Sequence, residues 1–502
     1  MAEIKLREVL SKKAFTRITP MGYYSSGVSY DPMDNGMDNA SWQIVTQADF
    51  LREYYPSGHK INDPIYYPDK VRQDPETKKY YTEQVIRCAF PFQKVIATKQ
   101  IIHLCGNDIR FELTEPRETP EQKDLFFKFK KGWQMKHSEY AFYSFAKSIK
   151  VTGDGAVVGV MSEGVFSWRN FSYLTGDKLF AHYDDLMRLK LFARQYKSYD
   201  EAGNEAQVFV EVWDKTNHYL FSQPKKGIKA QAVELLKVFG LSGYSEVRKP
   251  IAHGFDFIPV AYFRNADGAC WSDSQDSCDK YELAVSHLCQ NNMAYAFPIM
   301  FLKGDSINVV GGEDIYAPTK AITGDANSEA SFLNTPDGSS SFELQLKILL
   351  QNIFQGSFTV LPPELKSGDL PGVAVKLLYS PAIEKAMADA AELDIAVADM
   401  AKIFAHGYGM EIGAMTPMKN MQLNTWIEPY VHQNVAELMQ NLLAGVQNEF
   451  LSKETASELT PYGKNDEFFR IMKQKNNEDA MARTELNLNN PSVAPSVNPS
   501  NE

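Results

Sequence analysis

Long apolar runs are missing from this 502-residue chain. No stretch approaches the roughly 20 residues that span a bilayer, and the N-terminus lacks the apolar segment of a signal peptide. A soluble protein with no N-terminal export signal is expected. Cysteine is scarce: the five, at 88, 105, 270, 278 and 289, are odd in number and form no C-x-x-C pair. They read as reduced thiols of a cytosolic product. Cys278, His287 and Cys289 match no common zinc spacing, and no metal or cofactor is expected. Basic excess is missing too: 52 Lys and Arg face 63 Asp and Glu, for a net charge of −11 and a pI near 5.5. Tight phosphate binding needs Lys and Arg, so the balance weighs against a protein that grips nucleic acid. It does not weigh against one past which DNA slides.

Catalytic motifs are equally thin. His406-Gly-Tyr-Gly409, His253-Gly254 and Asp314 are the best candidates for an unrecognised enzyme site. None stands in a nucleophile elbow, a P-loop or a metal-ligand spacing. His406 reads as a cap near a helix C-terminus. Gly153, Gly155 and Gly159 read as a turn between strands, because β-branched residues follow them rather than a helix. No catalytic residue is assigned.

What is present divides the chain. Residues 1–50 form an arm rich in Tyr, Asp, Asn, Gly and Pro. Apolar spacing from Tyr80 to Leu104 predicts a helix broken near Pro91, ended by Gly106-Asn107 and followed by a strand from Ile109 to Leu113. A second helix is predicted over Gln134–Ser148. Ile149–Val151 and Ala156–Met161 flank Gly153-Asp-Gly155 as a hairpin, and Phe192–Tyr199 with Gln207–Trp213 form another. Phe257–Phe263 is strand-like. Helices are predicted over Asp276–Tyr295 and from Ser340, with Glu343 completing a capping box, to Gly356. Between them lies a Gly/Asp/Ser/Asn-rich excursion with short apolar pieces at Ile307–Val310 and Ile315-Tyr316. A Pro/Gly-punctuated loop follows. Leu423–Pro429 reads as a strand, Gln433–Gly445 as a helix, and Ser452 as the N-cap of another. From Asn476 the apolar period disappears and disorder is predicted.

The strongest local signal follows Pro381. Ile383, Ala386, Ala390, Leu393, Val397, Met400 and Phe404 recur at steps of three and four, a helical stripe ending near His406-Gly407. Met387, Ala391, Ile395 and Ala398 make a second apolar row. A helix apolar on two faces is buried in a large core or between subunits. Ala386, Ala390, Leu393 and Val397 are taken as subunit-packing residues.

In order along the chain, several segments resemble the portal proteins of tailed bacteriophages, of the long-tailed siphophage type. These are Val85–Leu104 with Gly106 and Ile109–Leu113, the glycine-bearing segment Ala146–Val160, Phe171–Tyr183, Gly254–Asn265, Leu370–Ala386, Trp426 with Pro429, and Gly445 to Ala456. The resemblance covers roughly residues 50 to 475, and Leu370–Ala386 is its most specific part. It implies an α+β ring subunit, dodecameric in the virion, at a capsid vertex, assembled in the host cytoplasm. It implies an α/β wing over 51–270, a first stem helix over 271–297, a small α/β clip over 298–339 and a second stem helix over 340–355. A tunnel loop over 356–372, a long wing helix and connection over 373–422 and a helical crown over 423–475 complete the set. Double-stranded DNA would pass through the channel. The partners implied are the terminase large subunit, a head-completion or adaptor protein, and the major capsid and scaffolding proteins. Pro362, Pro363 and Lys366 in the loop, with Lys347 on the second stem helix, become candidates for facing DNA. Lys303 and Lys320 become candidates for partner docking at the clip. Each lysine also reads as an ordinary solvated side chain. The alternatives are a cytosolic enzyme with an unrecognised site, or another ring-forming head–tail neck protein.

Overall fold

A computed structural model describes residues 15–18, 42–74, 77–114, 119–199, 205–223, 233–295, 300–303, 308–310, 321–323, 329–332, 339–361, 377–431, 435–460 and 467–488. The fold is mixed α+β. The chain divides into two units, one comprising residues 1–363 and 381–430 and the other residues 364–380 and 431–502.

In the first unit, β1 (Phe15–Ile18) pairs antiparallel with β2 (Trp42–Val45), and α1 (Gln47–Tyr54) follows. The Asp49 carboxylate accepts from the Thr46 N–H at 3.0 Å and from its hydroxyl at 2.7 Å, which fixes the start of α1. Phe50 is buried with Ile96, Ile101, Trp271 and Ile353. The expected arm boundary at residue 50 therefore falls inside a packed helix. Strands β3 (Lys70–Gln73) and β4 (Tyr80–Glu83) form a hairpin. The helix predicted from Tyr80 begins only after Pro91, as α2 (Phe92–Cys105). Proline suits a helix start, lacking the N–H an interior position would need, and the residues before it run extended. β5 (Arg110–Leu113) pairs with the later strand β18 (Leu423–Trp426).

Where one helix was predicted there are two, α3 (Pro120–Met135) and α4 (Ser138–Thr152). Thr119 and Gln122 close a capping box at the start of α3. The hairpin expected at Gly153 is absent. Ile149–Val151 are the last turn of α4, and Gly153 ends it in the left-handed region at φ +80°, its N–H donating to Ile149 O at 2.9 Å. The apolar run there belongs to a buried helix, which a short window cannot separate from a strand.

β6 (Asp154–Ser162) is central to a three-stranded sheet, between β7 (Val165–Phe171) and the later β13 (Val260–Arg264). A five-stranded antiparallel sheet follows in the order β12-β11-β10-β9-β8, made of β8 (Lys178–Tyr183), β9 (Leu189–Tyr199), β10 (Glu205–Trp213), β11 (Asn217–Ser222) and β12 (Ser245–Ala252). The predicted Phe192–Trp213 hairpin is its β9–β10 pair, with Phe192 opposite Trp213. The short helix α5 (Glu234–Lys237) lies between β11 and β12.

Helices α6 (Gln275–Tyr295) and α7 (Ser339–Gly356) come next, packed on one another. Between them β14 (Met300–Lys303) pairs with β17 (Glu329–Phe332), and β15 (Asn308–Val310) with β16 (Ala321–Thr323). Ser340, expected to cap α7, lies inside it. Helix α8 (Ser380–Glu411) runs 32 residues, past the end predicted at His406-Gly407. Those glycines are seats for close packing: a Cβ on Gly407 would meet Phe166 Cδ2 at 2.2 Å, and one on Gly409 would meet Met415 Cα at 2.9 Å. Helix α9 (Met415–Lys419) leads into β18. The core between α3, α4, α8 and the three-stranded sheet is aromatic, with Phe404 against Phe129, Trp133, Phe166, Trp168 and Tyr408. Burying each such side chain contributes about 1.5–3 kcal/mol.

In the second unit, α10 (Val435–Gln447), α11 (Lys453–Leu459) and α12 (Glu467–Leu488) follow in order. Ser452 caps α11, accepting from the Thr455 N–H at 3.0 Å, as predicted. The disorder predicted from Asn476 is overturned as far as Leu488, which ends α12. The segment Glu478–Leu488 lacks an apolar stripe but is rich in residues of good helix propensity, among them Ala480, Met481, Ala482, Arg483 and Glu485. Among the described residues, no helix is long and apolar enough to cross a membrane.

Candidate functional site

The α6–α7 pair is anchored at one end by side chains. Ser274 Oγ donates to Ile353 O at 3.0 Å, and Phe92 makes edge contacts with both Tyr281 and Phe354. The outer face of α7 carries Leu344 and Ile348 exposed beside Lys347, which is also exposed. Lys303 lies in β14, its backbone opposite Glu329. Lys320, Asp314, Pro362, Pro363 and Lys366 lie outside the described residues.

A strap of extended chain, Ile86–Phe90, is laid along α6. The N–H groups of Ile86, Cys88 and Phe90 donate to Gln290 Oε1 at 3.1 Å, Ser286 Oγ at 2.9 Å and Glu282 Oε1 at 2.7 Å. Alternate residues of an extended strand point the same way, and residues four apart on a helix share a face. Three backbone donors are thus met by three side chains of one helix face. Beneath the strap Val85 packs with Ile61 and Tyr67, with Ala89 and Leu283 alongside.

Next to it lies a buried polar cluster. His59 Nδ1 is 2.6 Å from Glu282 Oε1, and His59 Nε2 is 2.7 Å from Glu53 O. Both partners are acceptors, since Glu282 Oε1 also receives the Phe90 N–H, so both ring nitrogens donate and the imidazole is a cation. Burial opposes that charge. The hydrogen bond and charge of Glu282 outweigh it and hold the His59 pKa above its ordinary value. Glu53 accepts from Trp271 Nε1 at 3.0 Å. Asp279 receives Lys60 Nζ at 2.7 Å and Gln275 Nε2 at 2.8 Å; burial raises its pKa and Lys60 pulls it back. The segment Glu53–Lys60 is locked to the first turns of α6. Sequence reasoning missed this cluster, because no local pattern links residues more than 200 positions apart.

On α8 the stripe divides by depth. Ala386, Leu393 and Val397 are buried and Ala390 is partly buried, Leu393 and Val397 within the aromatic core and Ala390 against it. Of these residues, expected between subunits, Leu393, Val397 and Ala390 join a core that the chain's own α3, α4 and three-stranded sheet complete, and Ala386 is buried within the single chain. Asp389 on the same side makes a buried pair with Lys150 Nζ at 2.5 Å and a second with Lys385 at 3.1 Å. The second row faces outward: Met387 is 59% and Ile395 76% exposed, with Ala391 and Ala398 exposed alongside.

The histidines weighed as catalytic are packing groups. His406 lies five residues before the end of α8 rather than at its cap, buried against Phe255 and Phe257, and burial lowers its pKa. His253 Nε2 meets Asp214 O at 3.1 Å, and burial lowers its pKa as well. Among the described residues, no three His, Cys, Asp or Glu side chains converge as a metal site.

A family model for phage portal proteins of the SPP1 Gp6-like type matches residues 35–481, and the chain belongs to that family, the capsid portal proteins of phages. The family is structural rather than enzymatic. No curated protein matches the chain. Among the solved structures similar to the chain, two share 11% of its sequence. A chain in the neck of an empty gene transfer agent particle has a TM-score of 0.40, covering 74% of this chain and 90% of that one. A chain in the virion of a native gene transfer agent particle has a TM-score of 0.38, covering 82% and 92%.

Proposed function

We propose that the chain is one subunit of a ring, a dodecamer in the virion, through which double-stranded DNA is packaged and ejected at one capsid vertex. The observation that carries this is the family match over residues 35–481. On this reading residues 51–270 are the wing, α6 and α7 the stem, 298–339 the clip, 356–372 the tunnel loop and 423–475 the crown. The ring would assemble in the host cytoplasm with the major capsid and scaffolding proteins. The terminase large subunit would dock on it during packaging, and a head-completion or adaptor protein afterwards. It would have no ATPase or nuclease activity of its own.

The outward row Met387, Ala391, Ile395 and Ala398 takes over the subunit-packing role first given to the buried stripe. A monomer that leaves such a row in water gains from covering it. Lys347 and Lys366 would each become a circle of positive charge in a ring, touching phosphates transiently, while Lys303 and Lys320 would serve docking. The test is direct. Negative-stain images of the purified chain should show rings of more than ten subunits with a central hole. A monodisperse monomer by light scattering across several salt conditions would overturn the reading. Replacing residues 362–368 with a Gly/Ser linker should spare rings and impair packaging or retention of DNA. Wild-type packaging would remove the constriction role from this loop.

A further inference from the structure

We infer that Cys88 and Cys289 form a redox modification site, a thiol pair that closes to a disulfide by exchange with a small-molecule disulfide. Their sulfurs are 3.8 Å apart, though the residues are 201 positions apart in sequence. Neither side chain is fully buried, so an oxidant can reach them. The surroundings hold the pair in register. Cys88 is the middle residue of the strap, its N–H fixed by Ser286, and the rungs at Ile86 and Phe90 flank it. Cys289 stands one residue before Gln290, the acceptor of the Ile86 rung. A disulfide bond is about 2.05 Å long, so closure needs under about 2 Å of sulfur movement between elements already pinned side by side.

The other thiols are poor competitors. Burial pushes Cys105 and Cys270 up to about 12, and Cys278 is fully buried. Exchange runs through the thiolate. One protein thiolate attacks the small disulfide and releases one small thiol, leaving a mixed disulfide. The second protein thiolate then attacks the mixed disulfide at the protein sulfur and releases the other small thiol. Two protein thiols lose their protons and two electrons, and the small disulfide becomes two thiols. Burial raises the Cys88 pKa as well; what sets this pair apart is the 3.8 Å between its sulfurs. The pair stays reduced in a reducing compartment and closes on meeting oxidants outside one, fastening the strap to α6 covalently. This does not depend on the ring reading.

The test uses the full chain, reduced and then equilibrated with oxidised glutathione. Thiols titrated in denaturant should fall from the five of the sequence to three, and peptide mapping should join the peptides holding residues 88 and 289. The melting temperature should rise on oxidation and return on adding reductant. Cys88→Ser and Cys289→Ser should each abolish both the mapped link and the reversible shift. Cys88→Ala serves if the serine variant fails to fold. Five thiols remaining, a persistent glutathione adduct in place of the link, or a link mapping to other cysteines would each overturn the proposal.

Discussion

His59 and Glu282 lie 223 residues apart in sequence and 2.6 Å apart in space, each side chain 1% exposed, forming a charged pair in the interior. The pair joins the segment after α1 to the first half of α6, and Glu282 also holds the end of the strap. Two neighbouring connections therefore rest on one carboxylate.

Replacing that carboxylate by an amide keeps an acceptor oxygen for the Phe90 N–H but leaves the buried imidazolium without its counter-charge. Glu282→Gln should cost about 3–5 kcal/mol, the usual penalty for breaking a buried ion pair from one side. Chemical denaturation at pH 6 reads it, and a loss below about 0.5 kcal/mol would show that the pair contributes nothing. The His59 pKa is raised in the folded state, so its contribution is complete below its ordinary value of 6.5. It is lost as pH rises through the folded value. The penalty of Glu282→Gln should shrink as pH rises from 6.5 through the folded value.

Glu139 carries a second pH dependence. Burial raises its carboxyl from 4.5 to about 7, while its Oε1 accepts from Trp133 Nε1 at 2.7 Å. The folded state holds the proton more tightly than the unfolded one, so stability should fall between about pH 4.5 and pH 7. Glu139→Gln keeps an acceptor for Trp133 and removes the charge. Its melting temperature should lose that slope and match or exceed the parent at pH 8. An unchanged slope would place the titration elsewhere.

Gly407→Ala should destabilise the first unit by at least about 1–3 kcal/mol, the range for overpacking a core. The new Cβ would sit 2.2 Å from the Phe166 ring, itself fixed against Trp168 and Phe404. A lowered denaturation midpoint checks this. A stabilised variant, as alanine gives in an open helix, would mean the ring yields.

The two sides of α8 should separate folding from assembly. Leu393→Ala removes a buried side chain and should cost about 2–5 kcal/mol. Ile395→Glu changes an outward position and should leave the unfolding free energy within about 0.5 kcal/mol of the parent while reducing ring formation by light scattering. Rings at parental yield from Ile395→Glu would remove that row from the subunit contact.

The sequence made the long-period elements legible. Helix α8 carried its stripe over seven apolar positions, and the β9–β10 hairpin mixed apolar and polar residues on both sides of a Gly/Asn-bearing turn, so each announced itself. The failures have separate physical causes. Ile149–Val151 are apolar because they end a buried helix, and three residues cannot distinguish that from a strand. Residues Tyr80–Pro91 have helix-like spacing, but strap and hairpin contacts claim their backbone groups. The stripe of α8 showed which residues avoid water without showing what covers them; the covering comes from α3 and the sheet, hundreds of residues away. The same holds for the strap's acceptors, since Gln290, Ser286 and Glu282 look like ordinary polar positions of a helix.

The strap and α6 measure length in different steps. Two extended residues advance about 6.6 Å, and four helical residues about 6.0 Å, so each rung falls about 0.6 Å further out of phase. Three rungs absorb that drift within hydrogen-bond tolerance, and a long series cannot. The contact is a vernier: it coincides over a short span, and the span is self-limiting. Losing one residue from the strap would turn every donor to the wrong side, whereas losing two would move the whole ladder by one rung. The position of this segment on the helix is thus set to a residue by a mismatch of scales, with no sheet partner required.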